Sequence, residues 1–348
     1  MRLFCFGLGY TATVLAERLG ELPDVTIAGT RPDSTSVEPR FFPYQMNIVD
    51  GSFTYQDGQV TMTNLSATHS RTTIHANGGG EFRPDGSWYV QFENLTADRL
   101  AARRDLLEAL PQSLQRIVDQ LRPTGNNFAI NHGNLKFSKP ADPMQTVTSE
   151  WDIQLDCHQT DIQAGIDLHN IHGSVRLIGF NDGARCETFG ELDIDTLTFQ
   201  DTQFTELRGP LWVDASRCLL GQWACEKQGI PIRHMTARVY DGTLTGDTWV
   251  SFEELPKYRT DATVSDVNLA RLMVERFHSQ QAFTGKLGAS LSIYGEGRSQ
   301  HSLKGNGEVK VTDANIYELP VLVGLLKLLR NGTSDTTAFN RCEMKFQI

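Results

Sequence analysis

The sequence lacks the features that mark several common protein classes. Lysine and arginine number 32 against 42 aspartates and glutamates, which gives a net charge of −10. Nucleic-acid affinity comes mainly from basic side chains that displace counterions, so this acidic chain is not expected to bind nucleic acid. No apolar run reaches the roughly 18 residues that a membrane-spanning helix needs. The longest, Leu319 to Leu329, contains Lys327.

Recognisable reactive groups are also missing. The six cysteines are scattered, and their spacings fit neither a CxxC redox pair nor a zinc site. We therefore expect them to be small buried side chains, and the alternative is that two of them form a disulfide in an oxidising compartment. His169 and His172, near Cys157 and His158, resemble metal ligands, but a spacing of three on a strand separates the two imidazoles, so no metal site is predicted. No common nucleophile, zinc-protease or P-loop motif is present, and no catalytic residue is predicted.

What is present suits a folded protein. The chain has 348 residues, 39% hydrophobic and 21% charged, with 30 glycines. That composition excludes disorder, coiled coil and collagen. At roughly 150 residues per domain, the length predicts about two domains or one long irregular one.

A glycine-rich turn marks residues 1–44. A short apolar β-run is followed by Gly-x-Gly-x-x-Ala, a helical stretch and a second β-run. In a dinucleotide-binding turn the first glycine permits a tight turn, the second admits the pyrophosphate, and the alanine lets helix and strand pack closely. These positions are Gly7, Gly9 and Ala12. Arg31, where the second β-run ends, would suit the 2′-phosphate of NADP.

This segment resembles the amino terminus of the atypical short-chain dehydrogenase/epimerase family. The resemblance implies NADP binding and covers one eighth of the chain. The family's Tyr-x-x-x-Lys is not found in this sequence, and a working dinucleotide fold needs several more βα units. A remnant, a fusion or a mis-set start is therefore the other interpretation of residues 1–44.

The remaining residues alternate between apolar and polar positions, and turn signals separate the runs. Asp-Gly supplies the positive φ angles that a two-residue hairpin turn demands. The dipeptide occurs at Asp50-Gly51, Asp57-Gly58, Asp85-Gly86, Asp182-Gly183 and Asp241-Gly242. The pattern predicts antiparallel strands with one covered face.

Three helical regions interrupt the strands. The apolar stripe over Ala97 to Leu121 predicts two short helices divided at Pro111. Another helix is expected through Leu269 and Phe277, capped by Ser265 or Asp266, and a third over Val321 to Arg330. A faint repeat relates ENLTADRL (93–100) to VSDVNLARL (264–272), which favours a repetitive sheet.

The carboxy-terminal part resembles a second family. Gly305 to Leu329 is similar to the terminal module of AsmA-like proteins, and Asp241 to Leu272 is similar to their upstream modules. The resemblance covers about residues 46–348 and is strongest over the last 110. It implies a long curved β-sheet forming an apolar groove, a bacterial envelope location and lipid handling. The family's amino-terminal membrane anchor is not found, which an incomplete or fused amino terminus would explain.

The expected fold is therefore mainly β. It is an elongated, curved, groove-like and repetitive antiparallel sheet with a few short helices, preceded by a Rossmann-like βαβ fragment. The expected division is 1–44 and 45–348, the latter with possible modules 45–150, 151–280 and 281–348.

An apolar groove needs accessible side chains rather than catalytic ones, because each buried lipid methylene contributes roughly 0.8 kcal/mol. The candidates are Phe53, Tyr55, Trp88, Val90, Phe92, Trp249, Phe252, Leu291 and Ile293. The alternative is that they form ordinary core.

The expected function is non-enzymatic: an envelope protein on the periplasmic side of the inner membrane that shields or transfers lipid, or supports outer-membrane assembly. Expected partners are lipid or a membrane surface, with envelope proteins as further candidates. The alternatives are an NADP-dependent oxidoreductase or epimerase, suggested only by residues 7–31, and a structural β-scaffold with no ligand.

Overall fold

The computed structural model describes residues 2–6, 26–30, 35–39, 42–110, 112–124, 128–163, 167–279, 283–297, 302, 304–314 and 341–347. These residues are mainly β, as predicted, and form nineteen strands and four helices. The chain divides into two compact units, residues 1–191 with 213–215 and residues 192–212 with 216–348. The division expected from the sequence, at 44/45, 150/151 and 280/281, stays a prediction.

The first unit is built from strands that pair with their neighbours in sequence. The elements are β1 (Arg2–Phe6), β2 (Thr26–Thr30), β3 (Thr35–Val37), β4 (Met46–Gln56), β5 (Gln59–His69), β6 (Thr72–Phe82), β7 (Trp88–Leu100), α1 (Arg104–Ala109), α2 (Gln112–Leu121), β8 (Phe128–Lys139), β9 (Thr148–Gln163) and β10 (Asp167–Asn181). Strands β4 to β10 form an antiparallel meander. Strand β2 pairs antiparallel with β4 and parallel with β1.

β11 (Cys186–Phe199) begins in the first unit and ends in the second. The elements that follow are β12 (Thr202–Asp214), β13 (Arg217–Leu220), α3 (Gln222–Gln228), β14 (Met235–Val239), β15 (Gly242–Ser251), β16 (Lys257–Asn268), α4 (Leu269–Phe277), β17 (Lys286–Glu296), β18 (Lys304–Thr312) and β19 (Arg341–Gln347). Strands β14 to β19 pair antiparallel in sequence order, and β15 also pairs with β13.

The Asp-Gly dipeptides take three different roles. Asp57 and Gly58 form the predicted two-residue turn, with φ angles of 50° and 82° between the paired residues Gln56 and Gln59. At the β14–β15 turn the loop is instead Tyr240-Asp241, one residue earlier than predicted. The prediction of a turn at Asp50-Gly51 is wrong, because this dipeptide lies inside β4 at a register shift, with φ of 118° at Gly51.

The helices agree in part with the sequence pattern. Two short helices flank position 111, but Ala97 to Leu100 belongs to β7. The cap of α4 is Asn268, whose side chain accepts a hydrogen bond from the Arg271 N–H, and not Ser265 or Asp266. Asn268 can act as the cap because its side-chain oxygen accepts a hydrogen bond from an N–H of the first turn that has no partner within the helix.

Two predictions lie outside the described residues. One is the helix over 321–330. The other is the glycine-rich turn of Gly7, Gly9 and Ala12 together with Arg31. Parallel pairing of β1 with β2 is the arrangement that a βαβ unit would have, but the Rossmann-like turn stays a prediction.

Candidate functional site

The first unit has a continuous apolar face on β4 to β8. Directly opposed residues of antiparallel strands share a face, as do alternate residues of one strand. One row of opposed residues is Phe53, Met62, Gly78, Phe92 and Leu135, and the next is Tyr55, Val60, Gly80, Val90 and Phe137. Trp88 lies two residues before Val90 and shares this face. All five predicted residues of the first unit are therefore brought together, on what we call the apolar face.

Most of this face remains partly accessible. Phe53, Tyr55, Val60, Met62, Val90, Phe92 and Leu135 are each half-buried. Phe137 is buried, and the ring of Phe42 lies against it with 6.0 Å between the ring centroids. The apolar face thus combines a packed part with side chains that still offer surface to a ligand.

Two glycines allow close packing in the middle of the apolar face. A Cβ on Gly78 would lie 2.9 Å from Cε of Met62 and 2.5 Å from the carbonyl oxygen of Gln91. A Cβ on Gly80 would lie 2.5 Å from the carbonyl oxygen of Tyr89. Glycine is required at both positions because a side chain would collide with these neighbours. The glycines therefore let the Met62 side chain and the backbone of β7 pack against β6.

Two asparagines in the left-handed backbone conformation keep the apolar face continuous. Asn64 and Asn94 have φ angles of 50° and 51° and lie at register shifts, so each inserts one extra residue into its strand. Without that residue the later side chains would point to the other face. Strand β6 alternates regularly, and its Ile74 pairs with both Ala67 and Ala97. The face therefore extends beyond the bulges, where small side chains line it.

The opposite face of the same strands is polar. Thr54, Thr61, Gln91 and Lys136 occupy the alternate positions. Lys136 pairs with Glu150 at 3.7 Å on the neighbouring strand. Such exposed ion pairs contribute little stability, but they mark this face as the one turned to water. The sheet of the first unit is thus amphipathic.

The second unit brings together two of its four predicted residues. Leu291 and Ile293 share a face of β17, opposite Ala262 and Thr260 of β16. Helix α4 covers the other end of this face, where Leu269 and Met273 pack in a cluster with Val311.

Trp249 and Phe252 do not join that face. Trp249 pairs with Arg259, which pairs with Tyr294, so the indole lies on the reverse side from Ile293. It packs instead on the cluster of Trp212, Leu219 and Ala224. Phe252 follows β15, outside any strand, and its N–H donates to the carbonyl oxygen of Ser216.

The other groups that could carry chemistry are metal ligands and thiols. No group of three or more His, Cys, Asp or Glu side chains there could hold a metal ion. His158 and His172 are opposed across β9 and β10, and His169 contacts Asp161 at 3.3 Å. Burial, and then the charge of Asp156, raise the pKa of Cys157 to about 11, so this thiol is a poor nucleophile.

No helix among the described residues is long and apolar enough to cross a membrane. No protein-family model, curated protein or solved structure matches the chain. The site therefore has to be interpreted from its own geometry.

Sequence reasoning missed several members of the apolar face. Val60, Met62, Leu135 and Phe137 belong to it because of strand register. Their alternation in the sequence is a usable signal, but pairing partners are needed to place them beside Phe53 and Phe92.

Proposed function

We propose that this protein binds acyl chains on the apolar face of its first unit, and so shields or transfers lipid without catalysing a reaction. The observation that carries the proposal is the pair of apolar rows across β4 to β8, whose side chains are half-buried. A continuous apolar surface that stays partly accessible is typical of a ligand or interaction site.

The energetics favour an acyl ligand. Burying a chain of about 12 methylenes contributes roughly 10 kcal/mol before the costs of association. Such binding is non-directional and needs no catalytic group, which agrees with a surface of aromatic and aliphatic side chains.

The cellular setting follows from the AsmA-like resemblance of residues 46–348. We propose a bacterial envelope protein on the periplasmic side of the inner membrane, acting in lipid transfer or outer-membrane assembly. The competing functions are a ligand-free β-scaffold and an NADP-dependent enzyme. Parallel pairing of β1 with β2 is the observation that favours the enzyme, and titration with NADPH tests it.

A charge placed on the apolar face tests the proposal. In Met62→Glu a carboxylate would contact the bound chain, and its desolvation should weaken binding of a fluorescent fatty acid by roughly tenfold or more. The matched control is Thr61→Glu, which adds the same charge to the adjacent, exposed position on the polar face. Circular dichroism should show that both variants are folded.

Native mass spectrometry of the purified protein supplies an independent measurement. We expect co-purifying lipid in the wild type and in Thr61→Glu, and less in Met62→Glu. A wild-type protein with no saturable fatty-acid binding would support the scaffold and remove the lipid proposal. Equal affinities of the two variants for the fatty acid would show that the lipid does not bind on this face.

A further inference from the structure

A basic pocket lies where β5 and β7 end and β6 begins, in the first unit. It has a volume of about 170 Å³, and its lining includes Tyr44, His69, Arg71, Arg99, Arg103 and Asp105. Three arginines around one small cavity are unexpected in a chain whose net charge is −10. This local excess of positive charge is the property that needs an explanation.

Backbone pairing assembles the pocket from distant parts of the sequence. Ser70 and Arg71 form the turn between the paired residues His69 and Thr72, with φ of 56° at Ser70. The Thr72 hydroxyl donates to the carbonyl oxygen of Arg99 at 3.0 Å, which fixes the end of β7 beside this turn. Arg103 then reaches back, and its Nη1 donates to Oγ of Ser70 at 3.4 Å.

His69 is held by two acceptors. Its Nδ1 lies 2.6 Å from the carbonyl oxygen of Gln45, and its Nε2 lies 2.5 Å from Oδ2 of Asp105. The centroid of the His69 ring also lies 4.3 Å from that of the Tyr44 ring, so three contacts fix this side chain at the edge of the pocket.

Among the described residues, Asp105 is the one acid that lines the pocket, and it contacts His69. Desolvation raises the pKa of Asp105, but the hydrogen bond from His69 and the N–H of Leu106 outweigh it and hold the pKa below its usual value. Among the described residues, Arg71, Arg99 and Arg103 form no ion pair with a carboxylate, so the three arginines of the lining outnumber its one acid.

A chain of aromatic rings connects the pocket to the apolar face. Tyr44 is buried, and burial followed by the charge of Asp105 raises the pKa of its phenol, which stays neutral. The Phe42 ring lies 6.0 Å from Tyr44 and 6.0 Å from Phe137, a member of the apolar face. His69 also shares the face of Ala67 on β5, so the pocket lies at the end of the apolar face, where a ligand with a charged end and an apolar body would reach both.

We infer that the basic pocket binds a phosphate group, and that this group is the headgroup of the lipid whose chain occupies the apolar face. Guanidinium groups bind phosphate through paired, charge-assisted hydrogen bonds, and a phosphate monoester would balance much of the positive charge. The headgroup assignment rests on the proposed function, whereas phosphate binding by the pocket does not.

Two ligands that differ only in the phosphate test the inference. Isothermal titration calorimetry would compare lysophosphatidate with a monoacylglycerol of the same chain, and would titrate inorganic phosphate separately. We expect the wild type to bind lysophosphatidate about tenfold more tightly than monoacylglycerol, because only the former places a phosphate among the arginines.

The variant Arg71→Gln/Arg103→Gln should lose that preference and keep its affinity for monoacylglycerol. The control, Arg83→Gln/Arg104→Gln, removes the same charge from two arginines that do not line the pocket and that are paired with Glu81 and Glu108. It should behave as the wild type.

Each of the other outcomes overturns a defined part of the inference. Equal affinity of the wild type for the two lipids, or an unchanged preference in the pocket variant, removes the phosphate site. Inorganic phosphate that binds as tightly as lysophosphatidate would assign the pocket to free phosphate and remove the headgroup. A wild type that binds phosphate through these arginines but neither lipid would overturn the proposed function and spare the pocket.

Discussion

At the scale of single residues, asparagine and aspartate in left-handed conformation control which way the side chains point. Asn64, Asn94 and Asp266 have φ angles between 50° and 58°, and an aliphatic residue follows each of them. Asn and Asp tolerate this region better than other residues that carry a side chain. Within a strand, an Asn or Asp followed by an aliphatic residue therefore marks a bulge. Beyond that bulge the positions of the apolar side chains are shifted by one residue.

Substitutions at Asn94 test this role. Asn94→Val should lower the free energy of unfolding by about 1–2 kcal/mol, because a β-branched residue is strained at φ of 51°. Asn94→Gly should be tolerated much better, since glycine adopts positive φ without strain. Urea unfolding followed by circular dichroism measures both. Equal losses in the two variants would show that the asparagine side chain, rather than the backbone conformation, is what matters.

At the scale of elements, the faint repeat predicted from the sequence has a structural counterpart. β7 passes through the bulge at Asn94 and leads to α1, and β16 passes through a register shift at Asp266 and leads to α4. In both cases the chain returns as the next antiparallel strand, β8 or β17. Strand, bulge, helix and returning strand thus form a recurring arrangement.

Helix α4 illustrates what holds this arrangement together. Met273→Ala should lower the free energy of unfolding by about 2–5 kcal/mol, because the buried side chain packs in the cluster with Val311 and Phe283. Val274→Ala changes the adjacent position, which is 55% exposed, and should alter stability by less than about 0.5 kcal/mol. Chemical unfolding of both variants measures the difference. A small effect of Met273→Ala would mean that α4 is not anchored through this face.

The elements also show how far the sequence could be interpreted. Alternation and Asp57-Gly58 predict hairpins, because side-chain period and turn geometry are local properties. The phase shift at Asn94 is not visible in that alternation, since it depends on a single backbone angle. The basic pocket could not be predicted either, because Arg71 and Arg99 meet only through the register of β6 and β7.

At the scale of the whole molecule, mainly β structure was predictable from composition and turn signals, whereas the division into two units was not. No change in composition marks the boundary near residue 191, because similar strands continue on both sides of it. Where one unit ends is decided by contacts between residues that are distant in sequence, and these contacts form only after the strands have paired.

Acid stability is a property of the whole chain that the structure predicts. Hydrogen bonds lower the pKa of several carboxyls, from Arg176 to Asp152, from the Asn170 N–H to Asp161 and from the Arg185 N–H to Asp182. A folded-state pKa below the unfolded value of 3.8 means that the unfolded chain binds protons first. These contributions are therefore complete above that value and are lost as the pH falls through the folded pKa values.

Urea midpoints measured across the acid range should accordingly stay high in mildly acidic buffer and fall below pH 3.8. Protonation also relieves the repulsion within a chain of net charge −10, which works in the opposite direction. A midpoint that rises continuously with acidity would show that repulsion outweighs the hydrogen-bonded carboxylates.

The pairing of β4 to β10 in sequence order also bears on how the protein is made. Each strand finds its partner immediately upstream, and apart from the β7–β8 connection, which contains α1 and α2, the loops are short, so most steps carry a small entropic cost. A nascent chain leaving the ribosome could add these strands one after another, each on the edge left by the last. Until the next strand emerges, that edge would be the surface most prone to aggregation.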